Sequence, residues 1–134
     1  MVVREAMTDY FASAHISSTF ADAMDKMLGE GLGILYLVND KSEVVGSIGE
    51  RLLLHVIENP EMRDEPAVNF MDNSVCVIGL DDDSVQAAQQ FRELGVSELP
   101  VVDENKLVGV LTIRQLMRAL TTSSRCEKST FQAV

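Results

Sequence analysis

The feature that most constrains this chain is that its pattern is written twice. At a spacing of 64 residues, Met7 aligns with Met71, Met27 with Phe91, Gly31 with Gly95, Leu35 with Leu99, Val38 with Val102 and Asn39 with Asp103. After one extra residue in the first copy's turn the spacing becomes 63, and Gly46 aligns with Gly109, Arg51 with Arg114, Leu53 with Leu116 and Ile57 with Leu120. A length change placed in a turn is easily absorbed. Each copy is too small to bury enough apolar surface alone, so the two are expected to share a core.

Each copy has a readable order. In the second, residues 99–102 are an apolar run, 103–106 a polar turn and 107–111 another apolar run leading to a helix near Thr112, which is a hairpin feeding a helix. In the first, 32–38 is a continuous apolar strand of the kind buried on both faces, 39–43 a turn, 44–48 a strand and 50–57 a leucine-rich helix. Ahead of these, a short helical lead-in over 2–7 is followed by a strand at 11–16. Ser17, Ser18 and Thr19 offer N-caps, and Phe20, Met24, Met27 and Leu28 recur on one helical face before Gly29 and Gly31 end the helix. The second copy repeats the order with a strand at 75–80 and a helix at 84–94, so that Cys76 reads as a small buried strand residue. Gly46 and Gly109 read as places where another stretch of backbone comes close.

Boundaries follow from composition. Residues 1–57 form the first unit and 68–120 the second. The stretch 58–67, with Pro60, Pro66 and five charged side chains, reads as an exposed connector, and 121–134 as a polar tail. Asp81, Asp82 and Asp83 precede a helix, where the dipole favours carboxylates; a calcium loop would need oxygen ligands at alternating positions with a glycine among them.

Charge removes several function classes. The four segments carry net charges of −4, −3, −4 and +1, for a total of −10, with no basic stripe. Such a field repels nucleic acid and anionic membrane. No apolar run is long enough to span a bilayer and no charged-then-apolar leader opens the sequence, so a cytoplasmic protein is expected. The two cysteines make no disulfide framework or zinc site. His15 and His55 share no motif and read as structural or surface residues. No nucleophile, base and orienting group can be named together, so an enzyme is not expected.

The stretch Gly95-Val96-Ser97-Glu98-Leu99-Pro100-Val101-Val102-Asp103, followed by Gly109-Val110-Leu111-Thr112-Ile113-Arg114-Gln115-Leu116, resembles the CBS domain. The first copy is a degenerate version, and the resemblance covers roughly residues 2–120. It implies an α/β fold of tandem CBS motifs, each strand-helix-strand-strand-helix, packed as a pseudo-twofold pair (a Bateman module) of the stand-alone type and usually forming a homodimer. It also implies a regulatory module whose inter-motif cleft binds AMP, ADP, ATP or S-adenosylmethionine and which would act on a separate, unidentified partner protein or on none. The alternative is a structural dimerisation module whose ligand sites have decayed.

The family's pattern places Thr or Ser at the second helix start and Asp three residues on, the carboxylate accepting both ribose hydroxyls. Here Thr112 is present but Gln115 replaces the Asp; in the first copy Gly49 and Leu52 occupy these positions. The resemblance therefore points to Thr112 and Gln115 for the sugar. The runs 75–78, with Val75 and Val77, and 34–38 would supply the apolar walls for the adenine, and Leu99 and Pro100 join the ligand-binding residues. Arg51 and Arg114, equivalent in the repeat and each in a first helical turn, either share a phosphate or pair with nearby carboxylates. Thr112 is equally readable as an N-cap.

Overall fold

The computed structural model describes residues 1–132. The first copy builds β1 (Ala12–His15), α1 (Phe20–Glu30), β2 (Ile34–Val38), β3 (Val44–Gly49), a 3-10 turn at Glu50–Leu54 and a short α2 (His55–Glu58). The second builds β4 (Ile78–Gly79), α3 (Ser84–Leu94), β5 (Glu98–Asp103), β6 (Lys106–Thr112) and α4 (Ile113–Gln132). The strands form two three-stranded sheets of identical topology, β1-β2-β3 and β4-β5-β6, each with one parallel and one antiparallel pairing. Even the irregularity is duplicated: the antiparallel ladders slip between Leu37 and Val38 and between the equivalent Val101 and Val102.

Local chemistry explains the boundaries. Thr19 and Asp22 form a reciprocal capping box at the start of α1, and Gly31, at φ 68°, closes its end. Glu104 and Asn105, both with positive φ, make the tight two-residue turn between β5 and β6. The first copy's extra turn residue is accommodated by Asn39, whose side-chain oxygen accepts from the Lys41 and Glu43 N–H groups.

What joins the copies is an exchange of their lead-in segments. The Val3 N–H donates to Asp82 O at 2.8 Å and the Ser84 N–H to Met1 O at 2.8 Å. The equivalent bonds run the other way, Ala67 to Ser18 O at 2.9 Å and Phe20 to Glu65 O at 2.8 Å. Further along, Thr8 bridges Val110 of β6 and Asp72 bridges Ser47 of β3. Each crossing passes over one of the glycines. A Cβ on Gly109 would lie 2.5 Å from Thr8 O, and one on Gly46 would lie 2.8 Å from Asp72 O and 2.5 Å from Met71 Sδ. Val3, fully buried, thus belongs to the core of the second copy with Ile78, Phe91 and Leu111, while Met62 and Ala67 belong to the core of the first with Phe20, Leu35 and Ile48. Phe20 and Phe70 meet edge-to-face at 5.2 Å within that core.

Several expectations are corrected. The stretch 58–67 is more than an exposed connector: it forms a 3-10 turn at Pro60–Asp64 and plugs Met62 into the core. Of the strand expected at 75–80, only Ile78 and Gly79 pair, and Cys76 is an exposed free thiol rather than a buried residue. Apolar character there reflects the wall of a hollow rather than a sheet interior. Leu28 is 68% exposed, because the buried arc of α1 is only as wide as Phe20, Ala23 and Met27. The helix expected over 50–57 is split into a 3-10 turn and α2; Gly49 at its start brings no side-chain cap. Beyond Leu120, α4 continues to Gln132, and within it the Thr121 and Thr122 hydroxyls bond back to the Met117 and Arg118 carbonyls. The last two residues of the expected tail, 133–134, lie outside the described residues.

Candidate functional site

Two hollows meet between the copies. One, of about 590 Å³, has Val75, Cys76, Leu99 and Pro100 on one side and Ile34 and Tyr36 on the other. The second, of about 730 Å³, opens where the two second helices begin, between Gly33 and Glu50 of the first copy and Ser97, Thr112 and Arg114 of the second. Ile34, Ser97 and Glu98 line both, so the two form one continuous cleft. Both volumes fall in the range that holds a nucleoside-sized ligand. The repeat symmetry is visible in the floor: the Glu50 N–H donates to Gly33 O at 2.9 Å, and its equivalent, the Ile113 N–H, to Ser97 O at 3.3 Å.

The residues singled out in the sequence divide between places. Val75, Leu99 and Pro100 line the first hollow, and Thr112 and Arg114 line the second. Val77 is 40% exposed and stands outside both, with its carbonyl accepting from Gln90 Nε2 at 3.1 Å. Gln115 faces a different hollow beside Met1 and Glu5. Its side-chain oxygen accepts from the Thr112 N–H at 2.9 Å while the Gln115 N–H donates to Thr112 Oγ1 at 3.0 Å, a complete capping box. The Thr-x-x-Gln spacing thus serves the helix start of α4. Arg51 lines a separate hollow with Leu54, His55 and Glu58, so the two arginines do not line one pocket. That hollow has a twin in the second copy, where Arg114 stands with Met117, Arg118 and Thr121, the repeat equivalents of Leu54, His55 and Glu58; Arg114 lines the cleft as well.

The pair that sequence reasoning missed is Tyr36 with Glu98. The buried Tyr36 hydroxyl donates to Glu98 Oε2 at 2.6 Å, linking β2 of one copy to β5 of the other across the cleft. Burial, reinforced by the neighbouring carboxylate, pushes the phenol far above its ordinary range. Burial also raises the Glu98 carboxyl, and the hydrogen bond from Tyr36 opposes that rise. A signal was present: the repeat equates Glu98 with Ile34 and Tyr36 with Pro100. Of the two symmetry-related pairs of positions, one is polar and the other, Ile34 and Pro100, is apolar. Asp72 adds a second carboxylate to the cleft; hydrogen bonds from the Ser74 hydroxyl at 2.6 Å and N–H at 2.9 Å hold it below its ordinary range.

The three aspartates before α3 have three separate partners. Asp81 pairs with Arg4, Asp82 accepts from the Gly79 N–H and Asp83 caps the helix through the Val85 N–H. No metal-binding group of His, Cys, Asp and Glu occurs among the described residues. On the surface, Ser17 Oγ lies 2.7 Å from His15 Nδ1, whose Nε2 lies 2.6 Å from Asp40. With side-chain exposures of 41% for His15 and 93% for Asp40, this relay stands in water, where nothing orients a substrate or strengthens its hydrogen bonds.

Comparison with known proteins agrees with this architecture. The CBS domain family matches residues 3–59 and 67–122. An uncharacterized protein of Methanopyrus kandleri is 30% identical over 105 residues, covering 76% of this chain; the chain spans 54% of that protein's length and less of the other curated relatives it matches. Among solved structures, the MJ1004 protein of Methanocaldococcus jannaschii superposes with a TM-score of 0.83 at 20% identity, over 100% of this chain and 68% of that one. CBSX2, solved in complex with AMP, superposes with a TM-score of 0.77 at 23% identity, over 92% and 98% of the respective chains. Among the described residues no helix is long and apolar enough to cross a membrane. With two family matches on the two copies and the paired three-stranded sheets, the chain belongs to the CBS domain family and is a CBS pair.

Proposed function

We propose that this chain is a non-catalytic regulatory module that takes an adenine-bearing small molecule in the cleft between its two motifs. The observation that carries the reading is the continuous cleft itself, with apolar walls from Val75, Leu99 and Pro100 at one end and Thr112 and Arg114 at the other. AMP bound to the similarly folded CBSX2 supports it. A ligand there touches both copies, so binding biases how they pack, which is what a sensor requires. In this reading residues 1–57 and 68–120 are the two sensing halves, the stretch 58–67 ties them together and 121–134 is an appendage to the second. The exposed free thiol of Cys76 fits a reducing compartment such as the cytoplasm.

A second reading, a structural dimerisation module, is favoured by two observations. Gln115 is consumed by the capping box, and Leu52 offers no hydrogen bond in the first copy. Moreover Leu54 and Ile57, 61% and 79% exposed, are equivalent in the repeat to Met117 and Leu120, 53% and 39% exposed. Duplicated apolar pairs on the second helix of each motif are what a second copy of the chain would cover.

A thermal-melt panel with AMP, ADP, ATP, S-adenosylmethionine and adenosine, combined with light scattering, separates the two readings. A ligand at a hundred times its dissociation constant adds about 2.7 kcal/mol, a rise of roughly 10 °C for a domain of this size. A rise with any of these ligands is expected. A homodimer that no ligand stabilises would instead establish the structural reading.

A further inference from the structure

The charges around the cleft point to a class of ligand. Across the two hollows the charged side chains are Asp72, Glu98, Glu50 and Arg114, three carboxylates against one guanidinium. Most of the backbone donors at the helix starts that would offset this imbalance for a phosphate are already taken. At the start of α4 the Thr112 N–H is taken by Gln115, the Gln115 N–H by Thr112 and the Ile113 N–H by Ser97, which leaves Arg114's as the open one in the first turn. In the first copy the equivalent Glu50 N–H is taken by Gly33. Arg51, the second cation of the repeat, lies in another hollow.

The same hollow holds acceptors in excess. Glu98 lines both halves of the cleft and is fixed by the Tyr36 hydroxyl on Oε2, while Oε1 takes no hydrogen bond among the described residues. A carboxylate held in place with one oxygen open is suited to a vicinal diol or an ammonium group, and hostile to phosphate oxygens.

We propose that the cleft selects an uncharged or cationic adenosine-type ligand over adenine nucleotides, and that Glu98, oriented by Tyr36, is the residue that sets this preference by accepting from the ligand's hydroxyl or amino groups. Glu98 thereby supplies from β5 the carboxylate that the helix starts lack at Gln115 and Leu52. The inference rests on the reading of the cleft as an adenine site, and the experiment distinguishes failure of the one from failure of the other.

Dissociation constants for adenosine, AMP and ATP are measured by calorimetry on the full chain and on the Glu98→Gln and Tyr36→Phe variants, at low and high salt. For the wild-type protein, adenosine is expected to bind at least about tenfold more tightly than ATP, since three carboxylates against one guanidinium line the cleft and disfavour a polyphosphate, and the gap is expected to shrink with salt. Glu98→Gln, which keeps an acceptor for Tyr36 but removes the charge, should weaken adenosine binding and bring the adenosine-to-ATP ratio several-fold closer to one. Tyr36→Phe should weaken adenosine binding without reversing the order. ATP binding as tightly as adenosine to the wild-type protein would overturn the proposed selectivity while leaving the adenine site standing. An unchanged ratio in Glu98→Gln would overturn the role of Glu98. No binding of any of the three would overturn both the selectivity and the adenine site. Because the wild-type ratio alone tests the selectivity, the outcome does not depend on either variant folding.

Discussion

Deleting residues 1–8 is expected to cost more than about 4 kcal/mol, and to loosen the second motif rather than the first. Val3 is fully buried against Ile78, Phe91 and Leu111, which lie about seventy residues or more away in sequence. Losing that side chain alone costs about 1.5 to 3 kcal/mol. The deletion also removes the partners of Asp82 O, Leu80 O, the Ser84 N–H and both backbone groups of Val110, at about 0.5 to 1.5 kcal/mol for each hydrogen bond. Against a total stability of about 5 to 15 kcal/mol, the shortened chain is marginal. Urea unfolding gives the size of the loss, and native-state hydrogen exchange gives its location: the amides of Leu80, Val110 and Leu111 should lose protection before those of Leu35 and Ile48. Equal loss in both motifs, or none, would contradict the exchange of lead-in segments.

Gly109→Ala is the sharper probe of the same crossing. The new methyl would meet the Thr8 carbonyl oxygen at 2.5 Å and Met7 Cε at 2.6 Å. Met7 can swing away, but Thr8 cannot, because its N–H and C=O are both bonded to Val110 at 3.0 and 2.9 Å. Relief requires breaking that bridge or shifting β6. The expected loss is about 3 kcal/mol, at the upper end of what overpacking costs. Gly46→Ala should cost somewhat less, since part of its clash is with the flexible end of Met71, yet Asp72 O at 2.8 Å remains. Gly29→Ala is the control: nothing lies within 4 Å, and the position is in α1, where alanine is favoured by about 0.5 to 1 kcal/mol. Similar effects at Gly29 and Gly109 in a denaturant titration would sink the close-approach explanation.

These two experiments also mark where the sequence was legible. Repetition, strand order, the caps at Thr19 and Asp83 and the close approaches at Gly46 and Gly109 follow from spacing and from residue chemistry that acts locally. Where each lead-in goes does not, because the bonds from Val3 to Asp82 and from Ala67 to Ser18 join segments that nothing local relates. Met62 was hidden for the same reason: prolines and charges dominate its neighbourhood, and a single buried side chain leaves no periodicity. Val75 and Cys76 misled in the opposite direction, since the apolar wall of a cleft and the interior of a sheet have the same composition.

Of the residues that the CBS resemblance pointed to, Val75, Leu99 and Pro100 line the first hollow and Thr112 and Arg114 the adjoining one. Gln115 was assigned to the sugar because it follows Thr112 by three residues, but that spacing is also the spacing of a capping box, and the helix start uses it. Arg51 and Arg114 line equivalent hollows of their own copies, and Arg114 lines the cleft as well. Tyr36 fell within a stretch read as apolar wall, and its hydrogen bond to Glu98 was hidden because it depends on a difference between the copies, whereas the repeat shows what they share.

The most direct test of an adenine site in the cleft is the alkylation rate of Cys76, an exposed thiol in the wall of the first hollow. The rate is followed by mass spectrometry of the Cys76 peptide, with adenosine or AMP added to the intact protein and with a urea-unfolded control. A ligand at ten times its dissociation constant leaves about one site in eleven open and should slow the reaction roughly tenfold, with no slowing in urea. Stabilisation of the protein by either ligand with no change in the Cys76 rate would place the ligand elsewhere and contradict the site described above.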